Sequence, residues 1–194
     1  MKKILFILLT TFSFATVINI PADYSTIQQG IDASADGDTV LVQAGTYFES
    51  LTINIANLTL GSLFLTSGDT SFVSQTVLDG NNLNRCIDIQ SDNVKIFGFS
   101  IINGFATYSG QSIDGRGAGI RSMGNLPIIS NCNFINNSTG SMDDWGGAIY
   151  FENGGQVTIC SFIDNYAREG GGIFCRFGDL QIHQSYFKNN TSNY

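Results

Sequence analysis

Charge is scarce in this chain, and positive charge scarcer: of 194 residues 13% are charged, 9 are Lys or Arg, and the net charge is −7. Without a basic stripe to follow a phosphate backbone, nucleic acid is excluded as a partner. Histidine is nearly absent. The single one, His183, lies between Ile182 and Gln184 and reads as an outward strand residue. Long apolar runs are missing as well, since Ile4 to Phe14 is too short to span roughly 30 Å of hydrocarbon. Helical stretches are missing between the short β-rich runs from Thr39 onward, which excludes a doubly wound α/β sheet with its crossover helices.

What the chain has in quantity is Gly, Asn, Ser and Thr, and they recur in order. Gly117-Ala118-Gly119-Ile120 is followed by Phe134-Ile135-Asn136-Asn137, Gly146-Gly147-Ala148-Ile149 by Phe162-Ile163-Asp164-Asn165, and Gly170-Gly171-Gly172-Ile173 by Phe187-Lys188-Asn189-Asn190. Repetition at this period predicts a solenoid. With runs of three to five β-forming residues per segment, the expected fold is all-β: a right-handed parallel β-helix with a short N-terminal capping α-helix. Each turn of roughly 24 residues would carry about three strands and pair with the turn below at ~4.8 Å, giving about six or seven turns.

Three segments follow. Residues 1–15, with Lys2-Lys3, an apolar run and small residues at Ser13 and Ala15, have the zones of a secretory signal peptide. Residues 16–37 form a cap in which Tyr24, Ile27 and Ile31 share a helix face and Ser25 with Gln28 makes a capping box. Residues 38–194 are the β-helix turns, expected to be truncated at the C-terminal end because no polar capping repeat follows Asn190. After signal cleavage no transmembrane segment is expected, and the place of action is secreted or cell surface. Export permits disulfides. Cys132 and Cys160 both sit two residues before the repeat phenylalanine, so they either bridge or stack as small buried hydrophobes.

Alignment of the turns assigns faces. Ile87-Asp88-Ile89, Ile120-Arg121-Ser122, Ile149-Tyr150-Phe151 and Ile173-Phe174-Cys175 share one strand position, and period-2 alternation turns their middle residues to solvent. Phe99, Phe134, Phe162 and Phe187 are expected to stack in the core, and Asn137, Asn165 and Asn190 to form an amide ladder. Ala106–Arg116 and Ser138–Trp145 break the period as insertions, where solenoids often carry binding residues. Asn-x-Ser/Thr matches at Asn57, Asn136, Asn137, Asn189 and Asn190 read as turn chemistry.

Tyr24-Ser25-Thr26-Ile27-Gln28 through Gly45-Thr46-Tyr47-Phe48-Glu49 resembles the opening of right-handed parallel β-helix proteins of the pectin-lyase-like superfamily. Gly45-Thr46-Tyr47-Phe48-Glu49 is similar to the Gly-x-Tyr-x-Glu found early in pectinesterases. The Gly-Gly-Ala-Ile and Phe-x-x-Asn pairs are similar to the repeats of chlamydial polymorphic outer-membrane proteins, a resemblance that implies a surface adhesin. The catalytic sets of the enzyme families are not matched. The nearest string to the pectinesterase Gln-Asp-Thr is Gly68-Asp69-Thr70, one carboxylate in the outward column is not a calcium cluster, and no Gly-His-Gly is present.

The candidate site is therefore a binding site. Asp88, Arg121, Tyr150 and Phe174 form the outward column, flanked by Tyr108, Asp143, Asp144 and Trp145 from the insertions. Aromatic faces bordered by a carboxylate and a guanidinium suit a glycan groove, although aromatics also occupy strands simply as good strand formers. Asp143-Asp144 alone is a solvated pair, so no metal and no cofactor are expected. The reading is an exported β-helix scaffold for adhesion or glycan binding, with polysaccharide, surface glycan or other surface proteins as partners. A polysaccharide-active lyase or esterase and a structural spacer remain as alternatives.

Overall fold

The computed structural model describes residues 15–108, 115–140 and 144–193. Every strand pairing is parallel, and each sheet collects one strand from each successive turn, so the chain is a parallel β-helix solenoid. The longest sheet has seven strands: Val17–Ile20, Thr39–Val42, Thr59–Ser62, Lys95–Phe97, Ile128–Ser130, Gly155–Thr158 and Leu180–His183. A six-stranded sheet runs from Gly45–Tyr47 to Tyr186–Lys188, and a five-stranded one from Leu51–Ile53 to Ile173–Cys175. Four two-residue strands make a further short sheet: Phe105–Ala106, Ser138–Thr139, Tyr166–Ala167 and Thr191–Ser192. The two expected insertions thus begin with ordinary rung residues. Their remaining parts include 109–114 and 141–143, which lie outside the described residues, as do residues 1–14 of the expected signal peptide.

The core is a column of apolar side chains, Leu60, Ile96, Ile129 and Val157 from one sheet against Ile53, Ile89 and Phe151 from another, all fully buried. Phe134, Phe162 and Phe187 stack as expected, with ring centroids 4.9 and 4.6 Å apart and planes within 7°. Phe99 does not join them. Ile101 pairs with Phe134, and Phe99 sits two residues earlier, in the column of Cys132 and Cys160. The residue that sets this register is Gly98, whose φ of +78° makes the corner that Asn131 makes at φ +53° one rung later. Cys132 and Cys160 stand in consecutive rungs as buried free thiols.

The amide ladder forms. Asn137 Nδ2 donates to Asn165 Oδ1 at 3.0 Å, and Asn165 Nδ2 to Asn190 Oδ1 at 2.8 Å, while each amide also donates to a carbonyl of the rung below: Ile101, Phe134 and Phe162. The residue before each ladder position, Asn136, Asp164 or Asn189, is in the left-handed region, where short polar side chains sit at least cost. In the glycine step, Gly146 has φ +71°, and a Cβ on Gly147 would stand 2.3 Å from the Gly171 carbonyl oxygen. The first glycine is a conformational requirement and the second a requirement of rung spacing.

Helix α1 (Ile27–Ala33) covers one end of the column and buries Ile27, Gly30 and Ile31. Its N-cap is Thr26, which accepts from the Gln29 amide, and Tyr24 lies outside it and exposed, so the expected Ser25/Gln28 box is displaced by one residue. Gln28 instead exchanges two hydrogen bonds with the backbone of Thr52, mimicking a strand at the edge of the five-stranded sheet. Before α1, Val17–Ile20 adds a strand that hydropathy did not single out. Two further short helices, α2 (Phe64–Ser67) and α3 (Ser71–Gln75), interrupt the strands, contrary to the expectation of none. Gly68-Asp69-Thr70 joins them: Gly68 ends α2 in the left-handed region and Asp69 Oδ1 accepts from Ser71 N. That string is turn chemistry.

Candidate functional site

The outer face of the five-stranded sheet carries the predicted column in register, Asp88, Arg121, Tyr150 and Phe174, and extends it by Thr52 in the rung before. Two residues further along each rung, a second column holds Gln90, Met123, Glu152 and Arg176. Period-2 alternation points both columns away from the core.

The column does not meet water as expected. Arg121 is 8% exposed and Tyr150 not at all. Arg121 Nε and Nη2 reach Asp88 Oδ1 and Oδ2 at 2.7 and 2.6 Å, a bidentate pair, and Gln90 Nε2 adds a third hydrogen bond to Asp88. Burial raises the Asp88 carboxyl, but these donors and the Arg charges outweigh it and hold the carboxyl below its ordinary value. Tyr150 is covered by Trp145 from its own rung and by Arg116 and Phe174 from the rungs on either side. Trp145 and Phe174 stack near-parallel at 5.1 Å, Tyr150 lies 5.9 Å from Phe174 and 6.4 Å from Trp145, and the Arg116 guanidinium sits 4.5 Å from the Trp145 ring centroid and 5.2 Å from that of Tyr150.

Backbone geometry places the two covering residues. Gly117 N bonds to the Trp145 carbonyl and Gly146 N to that of Glu169, so Arg116, Trp145 and Glu169 occupy one position just before the glycine step in successive rungs. The Arg116 backbone is clamped in turn, because Arg85 donates to the Arg116 and Gly117 carbonyls at 2.8 to 3.1 Å. Glu152 closes the polar side: it accepts from the Tyr150 hydroxyl and from Arg176 Nη1 at 3.0 Å, and lies 3.6 Å from Arg116 Nη1. Burial and the Glu152 hydrogen bond push the Tyr150 phenol up to about 12.

Arg116, Glu152 and Arg176 were missed in the sequence. Glu152 and Arg176 had a signal, being two residues past the named column on the same face. Arg116 had only its place before Gly117. Of the predicted residues, Asp88, Arg121, Tyr150, Phe174 and Trp145 share this face. Asp144, expected to be solvated, is instead buried with its carboxylate against Gly115, where a Cβ would come 1.6 Å from Oδ1. Tyr108 is 54% exposed and, among the described residues, has no hydrogen bond or ring contact. Asp143 lies outside the described residues. Among the described residues no three His, Cys, Asp or Glu side chains converge on a metal position, and no helix is long and apolar enough to cross a membrane.

The tyrosine and most of the tryptophan face are spent on packing, so a ligand meets only one end of the cluster. There Phe174 is half-buried, the Arg176 side chain is 41% exposed, and Arg176 lies over the exposed Phe177 ring at 4.8 Å. Two donors beneath, Arg116 Nε and Trp145 Nε1, are buried without a hydrogen-bond partner among the described residues. Such groups cost about 1–3 kcal/mol each when left unpaired, and being fully buried they are not reached from the open end of the cluster.

Residues 131–152 match the Chlamydia polymorphic membrane protein repeat, a window that runs from the Phe134–Asn137 step to Glu152. Two solved structures share the architecture. One is pectin methylesterase PemA from Erwinia chrysanthemi, with 16% identity and TM-score 0.50, covering 82% of this chain and 53% of that one. The other is a pectin methylesterase in complex with a hexasaccharide, with 15% identity and TM-score 0.50, covering 94% and 68%. At these identities the likeness is one of fold, and the chain spans about half of the Erwinia enzyme's length. No curated sequence matches the chain.

Proposed function

We propose that this parallel β-helix with polymorphic-membrane-protein-like repeats is an exported surface or secreted scaffold that binds a glycan or another surface protein at the open end of the Trp145–Phe174 cluster. The observation that carries the reading is the partly open aromatic and guanidinium edge formed by Phe174, Arg176 and Phe177 at the end of the buried Trp145–Tyr150 stack. The repeat match supports the surface setting, because the matched family is one of membrane proteins, and its window contains Trp145, Tyr150 and Glu152. A sugar ring offers both an apolar face for Phe174 and hydroxyl oxygens for the exposed Arg176 guanidinium, which is why a glycan fits better than an apolar ligand.

The test is a glycan array and a cell-surface binding assay with the purified chain, against Phe174→Ala and Arg176→Ala. Binding that weakens at least roughly tenfold, about 1.4 kcal/mol, in both variants supports the site. Unchanged binding in both makes the cluster structural packing. Failure to bind any glycan or surface leaves the spacer reading. The pectin methylesterase-like fold also prompts a direct assay: release of methanol or unsaturated uronides from pectin overturns the binding reading in favour of an enzyme.

A further inference from the structure

A second candidate lies on another face, that of the seven-stranded sheet. A hollow of about 300 Å³ is lined there by Leu126, Pro127, Ile128, Gln156, Asp179 and Gln181, with no Lys or Arg among its described lining residues. Ile128, Gln156 and Gln181 are register partners in successive rungs, so the backbones that carry the two glutamines stand about 4.8 Å apart on one outward column.

Leu126 is the informative residue. It is 68% exposed at φ +54°, a conformation that penalises a bulky side chain. Equivalent corners in the neighbouring rungs hold Asn57, Asn93 and Gly154, all residues at ease there. Asn93 Nδ2 also donates to Asn57 Oδ1 at 3.1 Å, a corner hydrogen bond that leucine cannot continue. Leu126 therefore gives up backbone ease and a ladder bond, and buries little in return. Ile159 is strained and exposed in the same way at another corner, but Leu126 alone of the two lines a hollow, and it is strain at the rim of a hollow that points to a use outside folding.

The rest of the hollow indicates what that use is. Leu126, Pro127 and Ile128 form an apolar shelf. Gln156 and Gln181 make no side-chain hydrogen bond among the described residues, whereas Gln28 and Gln90, the amides facing the five-stranded sheet, are tied to Thr52 and Asp88. Two uncommitted amides, one rung apart, offer donors and acceptors to hydroxyls on alternate ring carbons, and Asp179 adds an acceptor. A carboxylate in the lining and a chain of net charge −7 disfavour an acidic ligand. The volume suits one ring, at the small end of ligand pockets.

We propose that this hollow is a separate binding site for one neutral hexose-type ring of a polysaccharide. The ring's C–H face rests on Leu126, Pro127 and Ile128, and its hydroxyls exchange hydrogen bonds with Gln156 and Gln181. This site is independent of the Trp145–Phe174 cluster.

The experiment titrates the full chain with neutral tetrasaccharides of glucose and of galactose, and with tetragalacturonate, followed by amide NMR shifts and calorimetry. At least one neutral tetramer is expected to shift resonances of residues 155–158 and 180–183, and tetragalacturonate to bind more weakly. Leu126→Asn should weaken the neutral tetramer roughly tenfold while raising Tm by about 2 °C, because it relieves the corner. Gln156→Ala with Gln181→Ala should abolish the response. The proposal is overturned if no neutral tetramer binds, if tetragalacturonate binds equally well, or if Leu126→Asn leaves affinity unchanged or lowers Tm. It is equally overturned if the response is lost in Phe174→Ala and kept in the Gln double variant, which would place binding at the aromatic cluster.

Discussion

Arg121 lies one rung from Asp88 and grips both of its carboxylate oxygens, at 2.7 and 2.6 Å, with side chains only 10% and 13% exposed. Removing one member leaves the other charge where water cannot fully solvate it. Asp88→Asn should cost about 3 kcal/mol, measurable as a fall in urea midpoint with unchanged slope. The pH response follows from the lowered carboxyl. Its contribution is present above the ordinary value of 3.8 and is lost as pH falls through the lower folded value. Below 3.8 the wild-type chain should therefore lose stability along a limb that Asp88→Asn lacks. Parallel acid limbs in both proteins would remove Asp88 as its source.

The asparagine ladder makes a position-dependent prediction. Asn165 accepts from Asn137 N and Nδ2 and donates to Phe134 O and Asn190 Oδ1, all within a buried stack. Asn165→Ala strands the Asn137 donors and the Phe134 carbonyl, at an expected cost of about 3 kcal/mol. Asn190 occupies the last described rung and is partly exposed, so water replaces much of what Asn190→Ala removes, at about 1 kcal/mol. Denaturant unfolding of the two variants decides it, and equal losses would mean the ladder is no stronger inside than at its end.

These two relationships differ in how far the sequence announced them. The ladder was legible because Phe134, Asn137 and the glycines before Ile149 are each demanded by local geometry that recurs every rung. The Asp88–Arg121 register was legible for the same reason. Whether the outward column faced water was not. Its closure depends on Trp145 from the same rung and Arg116 from the rung before lying over Tyr150, contacts made by the residue ahead of the glycine step and without a periodic signature. Phe99 misled because residue type was aligned where the Gly98 corner sets the register. Helices α2 and α3 lack side-chain caps, and only Val73 among their residues is buried, so neither period nor capping announced them.

Glu49 shows how the end of the column is held. Its Oε1 and Oε2 accept from the Ile27 and Gln28 amides, 3.0 Å each, which are the first free N–H groups of α1. Thr26 caps the same turn through Gln29 N. Glu49→Ala should destabilise by about 1 kcal/mol, with Glu49→Gln intermediate because it keeps one acceptor and loses the charge at the helix N-terminus. Amide exchange at Ile27 and Gln28 should quicken in both. Slow exchange retained in Glu49→Ala would mean Thr26 alone holds the turn.

Ile159 offers the opposite sign. It is 51% exposed at φ +53°, the corner where the preceding rungs use Gly98 and Asn131. A β-branched side chain meets its own backbone there, at about 1–2 kcal/mol, while half its surface gains nothing from burial. Asparagine keeps the conformation without the branch. Ile159→Asn should therefore raise stability by about 1 kcal/mol, a Tm increase of roughly 2–4 °C for a chain of this length. A valine control separates strain from polarity, since Ile159→Val keeps the branch and should leave Tm near the parent. If Ile159→Asn lowers Tm instead, the exposed isoleucine is held by contacts worth more than its strain, and the corner tolerates it for packing.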